Sequence, residues 1–209
     1  AREYTVSGYL VLKSTGEPLL DAEGKKVEGS TTFTPAEKDG SVDITFTFDS
    51  SLLDGEKVVA FETIYQGKRE VGVHADINDD DQTVIFHDPK IGTTAVEKEL
   101  GGHEAFVGTE TAIMDTVHYR DLVPGVSYRV SGILMDKDTG KTVKVQGKDV
   151  TAETSFVPEA SEGDVDVVFT LDSTKLAGKT TVVFETLYIG ERKIASHEDI
   201  KDKEHTVSF

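Results

Sequence analysis

The chain repeats itself, and this constrains its fold more than any other feature of the sequence. Val58-Val59-Ala60-Phe61-Glu62-Thr63-Ile64-Tyr65 returns as Thr181-Val182-Val183-Phe184-Glu185-Thr186-Leu187-Tyr188, and His74-Ala75-Asp76-Ile77 returns as His197-Glu198-Asp199-Ile200, both 123 positions on. Tyr4-Thr5-Val6-Ser7-Gly8 matches Tyr128-Arg129-Val130-Ser131-Gly132 at an offset of 124, so one residue has been gained or lost between. Phe33, Pro35, Gly40 and Asp49 recur as Phe156, Pro158, Gly163 and Asp172. Self-similarity at a fixed period means one domain written more than once. Within 209 residues the second copy is preceded by Pro89 to about Pro124, a stretch with no counterpart before the first. The expected domains are therefore 1–88, lacking its N-terminal strand or strands, and 89–209, complete. The hinge falls at Phe86-His87-Asp88-Pro89-Lys90, because Pro89 cannot donate to a ladder.

Both copies carry a β pattern. Val42-Asp43-Ile44-Thr45-Phe46-Thr47-Phe48 alternates apolar and polar residues, and Val165-Asp166-Val167-Val168-Phe169-Thr170-Leu171 does so in part. Period two with β-branched and aromatic enrichment predicts half-buried strands. Asp39-Gly40, Asp54-Gly55, Gly101-Gly102, Pro124-Gly125 and Thr139-Gly140 mark turns, and no segment sustains a helical apolar stripe for three turns. The fold class that follows is all-β, with two tandem Ig-like β-sandwich domains.

Composition removes several functions. There is no cysteine, so disulfides, thiolate metal sites and a cysteine nucleophile are excluded. The 39 Asp and Glu against 22 Lys and Arg give a formal net charge of −17, which opposes binding to nucleic-acid phosphates. No run of about 18 apolar residues is present to span a membrane. The chain opens without a charged-then-apolar leader, so a targeting signal is expected outside it.

Familiar motifs fail. Gly140-Lys141-Thr142 and Gly178-Lys179-Thr180 look like the end of a phosphate-binding loop, but Met135 and Ser173 stand where its first glycine belongs. Asp76-Ile77-Asn78-Asp79-Asp80-Asp81 resembles the opening of a calcium loop, yet Asp81 occupies the position of the turning glycine. Its second copy, Asp199-Ile200-Lys201-Asp202-Lys203, places ammonium groups among the would-be ligands. Both read as solvated turns, and neither metal nor cofactor is expected. Gly-x-Ser-x-Gly and His-Glu-x-x-His are absent, and no carboxylate pair stands out for glycoside hydrolysis.

Amides are scarce: Asn78 is the only asparagine, and Gln66, Gln82 and Gln146 are the only glutamines. Gln82 opens the patterned stretch Gln82-Thr83-Val84-Ile85-Phe86, eight residues after His74. Glu62, repeated as Glu185, lies in an apolar run, where a carboxylate is costly unless paired or protonated. On strand spacing alone it could equally face solvent.

The Val-Ala-Phe-Glu run ending at Glu62, then His74-x-Asp76-Ile77-Asn78-Asp79 before Gln82-Thr83-Val84, resembles the VaFE repeats of Gram-positive surface-anchored proteins, also called intramolecular ester-bond domains. The second copy adds Ile91-Gly92-Thr93-Thr94-Ala95 and Asp115-Thr116-Val117-x-Tyr119-x-x-Leu122-x-Pro124-Gly125. The resemblance covers nearly the whole chain, with the motifs in order. It implies a bond made without another enzyme: a first-strand threonine hydroxyl attacks the side-chain carbonyl of a last-strand glutamine, and ammonia leaves. His74 or His197 fits the base. A carboxyl pair sharing one proton, Asp115 and Glu185 in the second domain, would polarise the amide.

On that resemblance neither domain holds the full set. The first has Glu62, His74 and Gln82, without the segment that supplies threonine and aspartate. The second has Thr93, Asp115, Glu185 and His197, but His205 occupies the glutamine position, and an imidazole has no acyl carbon. Thr94 is a second candidate nucleophile that spacing leaves open. The resemblance implies a structural stalk module of a bacterial adhesin or pilus-like protein, extracellular and cell-wall anchored, and not a turnover enzyme. Expected partners are neighbouring repeats, a host-surface ligand, or a strand donated by another chain, with neither nucleic acid nor membrane contact. The alternative is an adhesive module whose sandwich loops recognise a host protein or glycan, which requires an exposed aromatic cluster. A hydrolase would need a concave site with its own carboxylate pair.

Overall fold

A computed structural model of the chain describes residues 2–51 and 53–209. It divides into two compact units, residues 1–88 and 89–209, and among the described residues there is no helix. The architecture is all-β.

The first unit contains β1 (Tyr4–Leu12), β2 (Glu28–Phe33), β3 (Lys57–Gln66), β4 (Arg69–His74) and β5 (Thr83–Ile85). They form one antiparallel sheet in the order β2-β1-β3-β4, with β5 also pairing β3. Leu10, Leu19, Val27, Leu53 and Val58 make its small core, and Phe46, Phe48 and Phe86 pack against it.

The second unit contains β6 (Lys90–Glu97), β7 (Thr111–Arg120), β8 (Tyr128–Asp136), β9 (Lys141–Thr142), β10 (Lys144–Val145), β11 (Lys148–Asp149), β12 (Thr151–Phe156), β13 (Gly163–Leu171), β14 (Thr180–Ile189), β15 (Arg192–His197) and β16 (Thr206–Ser208). One sheet runs β12-β8-β14-β15, with β16 on β14 and β9 on β8; it is the counterpart of the sheet in the first unit. A second sheet, β13-β7-β6, has no such counterpart among the described residues. The two sheets enclose a continuous core of residues from both, among them Ile113, Val117, Val130, Leu134, Val167, Phe169, Val183 and Leu187. This is a β-sandwich.

Alternation decides what points inward. Along β7 the buried positions are Thr111, Ile113, Asp115, Val117 and Tyr119, and along β6 they are Ile91, Thr93, Ala95 and Glu97. Gly132 is required at its place on β8, since a Cβ there would stand 2.6 Å from Cζ of the buried Phe169.

The strand expected at Val42–Phe48 does not form. Its side chains alternate as the sequence pattern requires, with Val42, Ile44, Phe46 and Phe48 the less exposed set, but no ladder holds it. The physical reason lies in the second unit, where the equivalent β13 pairs along its whole length with β7. Without that neighbour, an apolar alternation has a face and no hydrogen-bonding partner.

Candidate functional site

The register of the second unit brings its chemistry together. Glu185 sits in the middle of β14, opposite Gly132 of β8 on one side and His197 of β15 on the other. Its side chain points into the sandwich, as does that of Asp115, which pairs across strands with Ala95 and Val167. Thr93 follows the same inward rhythm on β6. All three are buried, Asp115 to 0% exposure and Glu185 to 1%. The Thr93 hydroxyl lies 3.4 Å from Glu185 Oε2. Thr94 points the opposite way, its hydroxyl 3.4 Å from the exposed imidazole of His118. Of the two threonines that spacing left open, Thr93 is the one beside the carboxyls.

Two carboxyls in an apolar interior cannot both ionise. Burial is the main cause raising the Glu185 carboxyl, and neighbouring Asp115 adds to it, so Glu185 keeps its proton far above the ordinary carboxylate range. Burial raises Asp115 as well, the proximity of Glu185 and Thr93 opposing it, although neither of its oxygens has a hydrogen-bond partner among the described residues. Both shifts favour the protonated form of a carboxyl in this pair, most strongly at Glu185. A neutral carboxylic acid so placed is a hydrogen-bond donor, the group required to polarise an acyl oxygen.

His197 ends β15, and its Nδ1 lies 3.4 Å from the Ile91 carbonyl oxygen. His205 immediately precedes β16. It is 1% exposed, and its ring centroid lies 4.1 Å from that of His197. Burial lowers the His205 pKa, and His197 beside it lowers it further, against the opposing pull of Asp202 and Asp115. Asp202 completes the group, with Oδ2 3.4 Å from His197 Nε2 and 3.7 Å from His205 Nε2. Reading the sequence missed Asp202, taking it for part of a solvated turn. The usable signal was Asp79, its repeat counterpart, five residues after His74.

The first unit repeats half of this arrangement. Glu62 again faces a glycine, Gly8, on one side and His74 on the other. Burial raises its carboxyl above the ordinary value, opposed by His74. His74 Nε2 bonds Asp79 Oδ2 at 2.7 Å. Glu62, His74 and Gln82 line one open cleft of about 480 Å³ together with Val42, Ile44 and Phe46. Val84 shows what that openness means: it is 57% exposed, whereas its counterpart Val207, on the edge that β6 approaches, is fully buried. The Asp76–Asp81 segment folds by side-chain-to-backbone bonds, Asn78 N–H to Asp76 Oδ1 and Asp81 N–H to Asp79 Oδ1, both 2.9 Å. These are turns of the Asx kind. Gly140, from one of the false phosphate loops, turns the chain into β9 with a φ of 64°.

Two sandwich sheets thus bring a threonine and a carboxyl pair together inside the second unit, with a histidine at the end of β15. The family model described as "T-Q ester bond containing domain" matches residues 1–86 and 89–209, and the chain belongs to that family. No curated protein matches the sequence. Among solved structures, an adhesin from Mobiluncus mulieris containing intramolecular disulfide, isopeptide and ester bond cross-links aligns with a TM-score of 0.46 at 15% identity. That alignment covers 57% of this chain and 56% of the adhesin. A β-galactosidase from Bacteroides fragilis gives 0.39 at 13% identity over 94% of this chain and 29% of the enzyme. A β-mannosidase from Dictyoglomus thermophilum gives 0.37 at 10% identity, over 93% and 26%.

Proposed function

We propose that the chain is a length of structural stalk from an extracellular, cell-wall-anchored adhesin or pilus-like protein, built of two ester-bond-type domains, 1–88 and 89–209. The observation that carries this reading is the Thr93 hydroxyl lying 3.4 Å from the Glu185 carboxyl inside the sandwich, with buried Asp115 on the facing sheet. In the complete reaction the threonine oxygen adds to the glutamine side-chain carbonyl, its proton passes by way of the histidine to the amide nitrogen, and the C–N bond breaks to release ammonia. Pre-positioning by the fold replaces collision and supplies much of the barrier reduction. A covalent link between first and last strands carries tension that ladder hydrogen bonds cannot.

The second domain keeps this machinery without its acyl donor, because His205 stands at the glutamine position. The first keeps Gln82, His74 and Glu62 facing a bare cleft. A strand pair of the β6–β7 type fits there, since exposed Val84 and the unladdered Val42–Phe48 segment mark the surface such a pair would cover. The loop-binding alternative lacks its expected aromatic cluster: Phe106 is the one aromatic side chain of the exposed class among the described residues. Intact mass of the chain and of His205→Gln tests the stalk chemistry, through the presence or absence of ammonia loss.

A further inference from the structure

The replacement of glutamine by histidine at 205 adds a ligand as well as removing an acyl carbon. His197, Asp202 and His205 offer two imidazole nitrogens and a carboxylate oxygen that all lie within 4.8 Å of one another. Asp202 Oδ2 stands 3.4 Å and 3.7 Å from the two Nε2 atoms. These separations are long for charge-assisted hydrogen bonds, which close to about 2.7–2.9 Å. They suit the edges of a tetrahedron around a metal ion with ligands at about 2.0–2.1 Å.

Two of the remaining polar atoms of these side chains are already committed in the way metal ligands need. His197 Nδ1 faces the Ile91 carbonyl, a contact that as an N–H donor leaves the lone pair on Nε2. Asp202 Oδ1 accepts the Glu204 N–H at 2.9 Å, leaving Oδ2 turned toward the imidazoles. Among the described residues, His197 Nε2 and the buried His205 Nδ1 have no hydrogen-bond partner.

The first unit is an internal control. There the same turn carries His74 and Asp79 but glutamine at 82, and the pair closes to 2.7 Å. In the second unit, with a second imidazole present, the carboxylate stands off from both. We propose that His197, Asp202 and His205 form a site for one divalent transition-metal ion of the Zn²⁺ class. Two nitrogens and one carboxylate oxygen without sulfur select Zn²⁺ and its neighbours over Ca²⁺ or Mg²⁺. The His197 and Asp202 side chains are 25% and 27% exposed, which gives the ion a way in. The bound ion would clip the end of β15 to the start of β16, the strand edge that an ester would otherwise fasten.

The test titrates ZnCl₂ into the full chain after chelator treatment and dialysis, by isothermal calorimetry. One saturable site per chain is expected, weakened at least about ten-fold in His205→Gln and in Asp202→Asn and unchanged in His87→Gln. Circular dichroism establishes that each variant is folded. Imidazole resonances of the unmodified chain provide a reading that needs no variant: Zn²⁺ is expected to shift those of His197 and His205. Absence of a stoichiometric site, wild-type affinity in both ligand variants, or shifts confined to His74, His87, His103 and His118 would overturn the proposal.

Discussion

The His205 ring packs against that of His197 with centroids 4.1 Å apart and planes inclined at 56°, at the position where the repeat places Gln82 after His74. One substitution thus separates a site that holds every polarising group from one that could complete a bond. The carboxyl pair behind it remains, buried between the two sheets.

That pair sets a pH dependence. Glu185 keeps its proton when folded but ionises near its ordinary value of 4.5 when unfolded. Its contribution to stability is therefore complete below about pH 4.5 and declines as pH rises, since the folded state binds the extra proton. The slope is at most about 1.4 kcal/mol per pH unit, and Asp115 acts in the same direction. Urea unfolding of residues 89–209 in chelator between about pH 5 and pH 8 should show Glu185→Gln losing less stability with rising pH than the parent. Equal slopes would mean Glu185 is ionised in the folded protein.

Gly132 tests the packing that holds the site. Gly132→Ala pushes a methyl against Phe169 Cζ in the middle of the core and should destabilise the second unit by about 1–3 kcal/mol. Gly92→Ala, with nothing near its would-be Cβ, should be neutral or slightly stabilising. Denaturant midpoints compare the two directly.

The bare face of the first unit should accept strands. A peptide of residues 89–122, which carries β6, β7, Thr93 and Asp115, is expected to raise the melting temperature of a fragment spanning residues 1–88. It should also protect the Val42–Phe48 amides from hydrogen exchange, as β13 is held by β7. A covalent adduct short of one ammonia would locate the link at Gln82. An unchanged melting temperature and exchange pattern would contradict the account of that cleft.

Much of this was legible in the sequence. The repeat located Glu185 and His197 from Glu62 and His74, and the period-two pattern gave the all-β class. The exceptions share a cause. Val42–Phe48 shows a strand's alternation without a strand's ladder, because pairing depends on a neighbour that local sequence does not encode. Thr93 and Thr94 are equivalent until the register of β6 against β7 turns one inward. Asp202 looked like a solvated acid among lysines, because the approach of two imidazoles is a property of the folded turn.

Intact-mass spectrometry of the purified single chain, beside His205→Gln, tests the central claim most directly. The chain itself should show its full sequence mass, while His205→Gln should lose one ammonia, about 17 Da. In that background Thr93→Ala should abolish the loss and Thr94→Ala should leave it intact. A 17-Da deficit in the unmodified chain, or full mass in His205→Gln, would contradict the account.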